Sequence, residues 1–119
     1  MATVVKRKLS GSTDGMPIKV VAEATAGTLI HTAVAGTTAG TFDEIWLFGV
    51  NSSGAPVKLT IEFGGATAPD QNIECTLAAE SGLQLLIPGL ILQNEKTVKA
   101  FAGTANVLTI SGFVNTITD

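Results

Sequence analysis

The stretch Val57–Phe63, VKLTIEF, decides the fold class of this chain. Its apolar residues Val57, Leu59, Ile61 and Phe63 alternate strictly with the polar residues between them. Successive side chains of a β-strand point to opposite faces, so this period of two residues indicates a strand with one buried and one exposed face. The segment therefore predicts a half-buried β-strand.

The preceding stretch, Phe42–Asn51 (FDEIWLFGVN), is apolar on both faces between Ile45 and Val50. A strand of this kind is typical of a sheet position covered on both sides, which makes the single tryptophan, Trp46, a predicted core residue. The turn signal Asn51–Gly54 separates this strand from Val57–Phe63, and the two strands are predicted to form a hairpin.

Short strands are also expected on either side of these two. The candidates are Thr3–Leu9, Pro17–Thr25, Thr28–Val34, Ile73–Leu77, Leu83–Leu92 in two pieces around Pro88-Gly89, Thr97–Ala102 and Asn106–Val114. About eight or nine short strands at a spacing of roughly 8–12 residues predict an all-β fold, an antiparallel β-sandwich or jelly-roll-like barrel. Long helical patterns between strands are missing, which argues against a βαβ fold.

The domain organisation follows from the same pattern. Residues 16–119 are expected to form a single β-sandwich domain, and residues 1–15 a short N-terminal edge strand or arm. The sequence contains no internal repeat and no interdomain linker.

The composition indicates a chain whose surface is partly covered. Of its 119 residues 45% are hydrophobic and only 14% charged, against a usual charged share of about 25%. This balance fits a membrane protein or a domain covered by its own copies or by a partner. No apolar run approaches the ~20 residues of a spanning helix, and no signal peptide pattern is visible, so we expect no membrane partner. We expect a homo-oligomer instead, specifically a trimer.

The charge distribution narrows the choice of partner. The net charge of −3 disfavours nucleic acid. Three of the seven basic residues stand together at Lys6, Arg7 and Lys8. Such a cluster either grips an acidic partner surface or forms a polar patch on an edge strand.

Residues that could carry chemistry are few and isolated. His31, the only histidine, has no carboxylate nearby in sequence, so it is interpreted as lying on a sheet surface or satisfied in a polar pocket. Asp43 and Glu44 are adjacent in a strand and point to opposite faces, where we expect them to solvate the start of the strand. Cys75, the single cysteine, is interpreted as a small buried apolar residue. Asp70 lacks the alternating acidic pattern of a calcium loop.

These observations predict a protein that is not an enzyme, with no catalytic residue, no cofactor and no metal site. The aromatic residues, 5% of the chain, fall inside strand patterns where core packing is the default, and Phe42 is the exception because it follows a Gly/Thr-rich loop.

Three stretches carry a resemblance to a known family. Met16–Ala22 (MPIKVVA), Ala26–Ala33 (AGTLIHTA) and Phe42–Leu47 (FDEIWL) resemble the small head decoration, or cement, proteins of tailed bacteriophages. The resemblance runs over most of the chain. It departs from the family at the N-terminus, where some decoration proteins have a long arm and this chain has only about 15 residues before its first firm strand.

The resemblance implies a virion structural protein that binds and stabilises a capsid lattice, often as a trimer. Its partners would be further copies of itself and the major capsid protein, with neither nucleic acid nor membrane, and it would lie on the capsid surface after synthesis in the host cytoplasm. The predicted interface residues are Lys6, Arg7, Lys8, Met16 and Pro17. Two alternatives remain: a carbohydrate- or receptor-binding module of a phage tail or fibre, and a head-tail joining subunit.

Overall fold

The computed structural model describes residues 2–119; Met1, the first residue of the predicted segment 1–15, lies outside them. The described residues form nine strands and no helix. The strands are β1 (Thr3–Lys8), β2 (Ile18–Lys19), β3 (Thr28–Thr32), β4 (Phe42–Asn51), β5 (Val57–Phe63), β6 (Asn72–Leu77), β7 (Gln84–Leu92), β8 (Thr97–Ala102) and β9 (Leu108–Thr118). None of this part of the chain could cross a membrane as a helix.

The strands form two antiparallel sheets packed face to face, so the predicted β-sandwich is confirmed. Sheet A has the order β1-β9-β4-β7, with the short β2 beside β9, and sheet B has the order β3-β8-β5-β6. The pairs β1–β9, β3–β8, β4–β7 and β5–β6 are nested in one another along the chain. The chain is therefore one long hairpin, with its tip between β5 and β6, rolled into two sheets.

The core lies between the sheets and is made of alternate residues from both. Its large, fully buried apolar side chains come from strands of both sheets and from Leu9 directly after β1; they are Leu9, Ile30, Ile45, Leu47, Leu59, Ile61, Ile87, Leu108 and Ile110. Burial of each such side chain contributes roughly 1.5–3 kcal/mol, which makes this layer the main source of stability.

The strand Val57–Phe63 directs Val57, Leu59 and Ile61 into the core, as its alternation predicts. Its other face is not exposed throughout, however, because residues 20–27 cover part of it. The Glu62 carboxylate is only 1% exposed and accepts hydrogen bonds from Thr25 Oγ1 at 2.8 Å and from the Gly27 N–H at 2.7 Å. A buried carboxylate is tolerated only with such donors, so Glu62 fixes this segment onto sheet B.

The predicted hairpin between β4 and β5 is wrong, since β4 belongs to sheet A and β5 to sheet B. Both edges of β4 are already taken by β9 and β7. The chain crosses between the sheets after Asn51, whose side-chain Nδ2 donates to the carbonyls of Ala55 and Leu77, each at 2.9 Å. The turn signal at 51–54 therefore marks a corner of the sandwich.

The prediction that Trp46 is a core residue is also wrong. Ile45 and Leu47 face the core and are fully buried, whereas Trp46 lies half-buried on the outer face of sheet A. The strand is central in its sheet, between β9 and β7, but only one of its faces is covered. Both faces of this strand are apolar because one forms the core and the other forms an apolar surface that no second layer covers.

Several predicted strand extents also differ from the structure. The last strand, predicted over Asn106–Val114, is β9 and ends at Thr118. The segment Pro17–Thr25, predicted as one strand, pairs as a strand only over β2, because the chain then passes from sheet A to sheet B. On the way, Val20 N–H donates to Leu108 O at 2.9 Å, and Ala102 N–H donates to Ala22 O at 3.0 Å. The region predicted as two pieces around Pro88-Gly89 is one strand, β7, with register irregularities on both sides of Pro88.

Candidate functional site

The five residues predicted for the interface lie along one edge of sheet A, here called the basic edge: Lys6, Arg7, Lys8, Met16 and Pro17. β1 forms this edge against β9, and β2 pairs with the next part of β9. Lys8 Nζ donates to the carbonyl of Ser12 at 3.4 Å, and Ser12 Oγ donates to the carbonyl of Met16 at 2.7 Å. All five are exposed, and the contacts of Ser12 link Lys8 to Met16 along this edge.

The side chains of adjacent basic residues in β1 point to opposite faces of sheet A. Arg7 lies opposite Val114, a core residue, and so points to the inner side, where sheet B does not extend over it. Lys6 lies opposite Asn115 on the outer side, and its Nζ is 4.2 Å from the ring centroid of Phe113. The basic edge therefore borders two different surfaces.

On the inner side, the basic edge borders a pocket of about 510 Å³ between β1 and β3. We call it the β1–β3 pocket, and its lining includes Arg7, Lys8, Ser10, His31, Thr32 and Asp43. Its wall is fixed by two hydrogen bonds: Gly11 N–H donates to Ile30 O at 2.9 Å, and Thr32 N–H donates to the side-chain Oγ of Ser10 at 2.7 Å. Gly11 is required here, because a Cβ would lie 2.6 Å from Ile30 O.

A buried histidine–carboxylate pair lies at the base of the β1–β3 pocket. His31 Nε2 and Asp43 Oδ2 are 2.7 Å apart, and the two side chains are about 5% exposed. His31 Nδ1 accepts the Ser10 N–H at 3.0 Å, so the hydrogen-bond pattern assigns the ring proton to Nε2, which donates to Asp43. His31 is thus satisfied in a polar pocket, one of its two predicted settings.

Asp43 is a structural acceptor and not the solvated strand-start residue that the sequence predicted. Its Oδ2 also accepts the Val34 N–H at 3.1 Å, and its Oδ1 accepts the Thr116 hydroxyl at 2.7 Å. With His31, this gives the carboxylate three donors from three different strands or loops. A buried carboxylate is stable only when hydrogen-bond donors of this kind replace the water that it has lost.

Ser10, His31 and Asp43 have the residue types of an acyl-transfer triad, but their contacts differ from one. The Ser10 backbone N–H, and not its hydroxyl, occupies the ring nitrogen opposite the carboxylate. The Ser10 hydroxyl oxygen accepts the Thr32 N–H instead. The imidazole has no lone pair facing a hydroxyl, so this arrangement orients the loop and does not activate a nucleophile.

On the outer side, the basic edge borders an open apolar surface, here called the aromatic face. It carries half-buried rings and exposed aliphatic side chains, namely Phe42, Trp46, Phe48, Phe113, Val4, Leu85 and Ile91. Trp46 and Phe113 are cross-strand neighbours whose rings stack with centroids 6.2 Å apart and planes 13° apart. Four of the six aromatic residues of the chain thus lie on this one face.

A single carboxylate orients the Trp46 indole on the aromatic face. Glu44 Oε1 accepts the indole N–H of Trp46 at 2.8 Å and the side-chain amide of Asn115 at 3.0 Å. The hydrogen bond from Trp46, followed by that from Asn115, lowers the pKa of Glu44. The face is therefore held in shape by a charged acceptor at its centre.

The far edge of the aromatic face is β7, which has no neighbouring strand on its free side. Its exposed apolar residues include Leu85, Leu90 and Ile91, with Leu83 just before it. Its register against β4 shifts twice, and Pro88 lacks a backbone donor. These irregularities make β7 a poor template for strand pairing, so its apolar residues are more accessible to packing contacts than to strand addition.

The remaining reactive residues lie apart from these surfaces. Cys75 on β6 is half-buried against the core, and burial raises the pKa of its thiol. Asp70 is exposed in the loop between β5 and β6. Within residues 2–119, no three His, Cys, Asp or Glu side chains come together as a metal-binding group.

The fold and surfaces define a small β-sandwich with one open aromatic face, a basic edge and a polar pocket behind that edge. No family model, no curated protein and no solved structure matches the chain.

Proposed function

We propose that this chain is a non-enzymatic structural protein of a virion, which binds a phage capsid lattice from outside and stabilises it as a decoration, or cement, protein. The observation that carries the proposal is the aromatic face. A soluble monomer rarely leaves a continuous apolar surface with stacked rings open to water, and such surfaces mark interaction sites.

The aromatic face is large enough for a specific interface. Three of its strands are about ten residues long and β1 has six, which at about 4.8 Å between strands and about 3.3 Å per residue gives ~570 Å² per partner. Burial on both partners then gives ~1,100 Å² in total, above the ~1,000 Å² expected of a biological interface. The stacked Trp46 and Phe113 rings belong to the residue types enriched in interface cores.

The strand order supports the same proposal. The nested pairs β1–β9, β3–β8, β4–β7 and β5–β6 give sheets with the order of a jelly roll, and we infer that the sandwich is of this type. Double-sheet jelly rolls occur in viral capsid proteins and in lectins. The resemblance of residues 16–22, 26–33 and 42–47 to decoration proteins points to the first of these.

The proposal includes self-association. We propose a homotrimer on the capsid surface, with the major capsid protein as the second partner and the basic edge, Lys6 to Lys8 with Met16 and Pro17, in the contact. A symmetric lattice offers each trimer several equivalent contacts at once, so weak single contacts add up to stable attachment. Neither nucleic acid nor membrane is a partner in this proposal.

Co-sedimentation with purified empty heads of the virus whose genome carries the gene tests the proposal. The wild-type chain is expected to bind saturably and to raise the temperature at which the heads disrupt. Trp46→Lys, which places a charge in the aromatic face, is expected to abolish binding. Thr76→Lys, an exposed change on sheet B, is the matched control and should bind like wild type.

Folded wild-type protein that fails to sediment with these heads would contradict the proposal. The same conclusion would follow if the gene lay in a cellular genome away from any virion gene.

One observation favours a second candidate, a carbohydrate-binding module of a phage tail or fibre. Trp46 lies half-buried on the open face of the sheet, and the accessible part of an indole is a surface on which sugar rings can pack. Saturable quenching of Trp46 fluorescence by an oligosaccharide, without head binding, would select this candidate over capsid decoration.

A further inference from the structure

We infer that the β1–β3 pocket binds a carboxylate, and that this carboxylate is an acidic side chain of the protein partner at the basic edge. The capsid as source of the carboxylate rests on the function proposed above. The binding chemistry of the pocket depends on its own residues alone.

The donors of the pocket outnumber its acceptors. Within residues 2–119, the Arg7 guanidinium makes neither an ion pair nor a hydrogen bond, and Lys8 Nζ reaches only the Ser12 carbonyl at 3.4 Å. The hydroxyl hydrogens of Ser10 and Thr32 also have no acceptor among the described residues. An oxyanion between these groups would receive several donors at once.

The carboxylate already in the pocket cannot fill this role. Asp43 accepts from His31, Val34 and Thr116, which uses its lone pairs toward the base of the pocket. Arg7 makes no ion pair with this acid, so its guanidinium is left to bind an anion at the mouth of the pocket. An incoming anion meets attraction from Arg7 without displacing an internal ion pair.

The walls of the pocket are fixed before any ligand arrives. The contacts of Gly11 with Ile30, of Ser10 with His31 and of Thr32 with Ser10 hold both sides through backbone atoms. Binding therefore costs little ordering of the loop, which leaves mainly the Arg7 side chain to be immobilised.

Carboxylate is a better match than the phosphates of a nucleic acid. The planar guanidinium of Arg7 donates two parallel hydrogen bonds to a carboxylate. Phosphate binding by proteins that contact nucleic acids depends on many cations across a wide surface, whereas this chain carries a net charge of −3.

The experiment is an NMR titration of the ¹⁵N-labelled full chain with sodium acetate, with sodium chloride at equal ionic strength as reference. We expect saturable shifts of the Ser10 and Thr32 amides with a Kd of about 10 mM, as for a weak single-site contact. Arg7→Gln should weaken acetate binding at least about tenfold. Lys19→Gln removes the same charge from an exposed site outside the pocket and should change binding less than about twofold.

Shifts that follow chloride equally, or that are the same in Arg7→Gln and wild type, would overturn the inference. Tighter binding of inorganic phosphate than of acetate at these amides would overturn the assignment of the anion. In the head-binding assay, wild-type binding that Arg7→Gln leaves unchanged would overturn the capsid as source of the carboxylate but not the decoration function. Failure of the wild-type chain to bind heads would contradict the proposed decoration function. The acetate titration would still test whether the β1–β3 pocket binds a carboxylate.

Discussion

His31 and Asp43 belong to opposite sheets, yet His31 Nε2 and Asp43 Oδ2 are 2.7 Å apart. This contact joins β3 of sheet B to β4 of sheet A at the end of the sandwich beside β1. Around it, one carboxylate satisfies an imidazole, a backbone amide and a hydroxyl. A polar bridge of this kind stabilises only as a complete set, because each member left unpaired is buried.

Asp43→Ala is therefore expected to destabilise the fold strongly, by about 3–5 kcal/mol, since it leaves the partners of a buried charge without an acceptor. Thr116→Val removes one donor of the same carboxylate and should cost about 1–2 kcal/mol. Urea denaturation followed by circular dichroism measures both. An Asp43→Ala variant within about 1 kcal/mol of wild type would show that the bridge is dispensable.

Trp46→Ala should cost much less stability than its immediate neighbour Ile45→Ala. Ile45 is fully buried, so truncation leaves a cavity and costs about 2–5 kcal/mol. Trp46 lies on the aromatic face, where its stacking with Phe113 contributes about 0.5–1.5 kcal/mol beyond area burial. Guanidinium denaturation of the two variants checks the order, and a reversal would place Trp46 in the core after all.

Glu44 should stabilise the fold at neutral pH and lose this effect in acid. Its pKa is lowered in the folded state by the hydrogen bonds from Trp46 and Asn115, so its contribution is full above the unfolded value of 4.5 and is lost as pH falls through the lower folded pKa. The melting temperatures of wild type and Glu44→Gln should differ at pH 7 and converge below pH 4.5. A difference that stays constant between pH 7 and pH 3 would contradict this role.

Cys75 should react slowly with maleimide in the native protein at pH 7.5. Burial raises the pKa of its thiol above the ordinary value of 9.0, which lowers the thiolate fraction, and its packing against the core limits access. Labelling in the native state should be at least about tenfold slower than in urea. Equal rates in the two states, measured by mass spectrometry, would show that β6 opens readily.

Gly11→Ala should destabilise the loop that follows β1, whereas Gly54→Ala should not. A Cβ at Gly11 would lie 2.6 Å from Ile30 O and 2.7 Å from Leu29 O, so the backbone of the loop or of β3 would have to move. No atom lies within 4 Å of a Cβ at Gly54. Thermal denaturation should show a loss of about 1–3 kcal/mol for the first variant and near neutrality for the second.

The fold class could be predicted from the sequence, because alternation in segments such as Val57–Phe63 depends only on the geometry of a strand. The pairing of strands could not, since β4 and β5 are adjacent in sequence but lie in different sheets. Alternation also gives no information on burial where both faces of a strand are apolar. The sequence around Trp46 would be the same whether the second face of its strand packed against another layer or faced water.

The candidate surfaces were only partly visible in the sequence. The basic edge is a local cluster and could be read directly at Lys6–Lys8. The contact between His31 and Asp43 joins residues 12 apart across two sheets, and no local pattern reports it. For the aromatic face, the signal lay on β9, where Thr109, Ser111 and Asn115 share a face with Phe113 and so place that ring on the polar side.

The irregular shape of β7 affects the tendency of the protein to aggregate at high concentration. A straight, apolar, unpaired strand at the end of a sheet can pair with the same strand of another copy and so start fibre growth at high protein concentration. The two register shifts and Pro88 interrupt the row of amides and carbonyls that a second strand would need. The apolar residues of β7 thus stay open to side-chain packing, while strand-by-strand growth into amyloid at this edge is hindered.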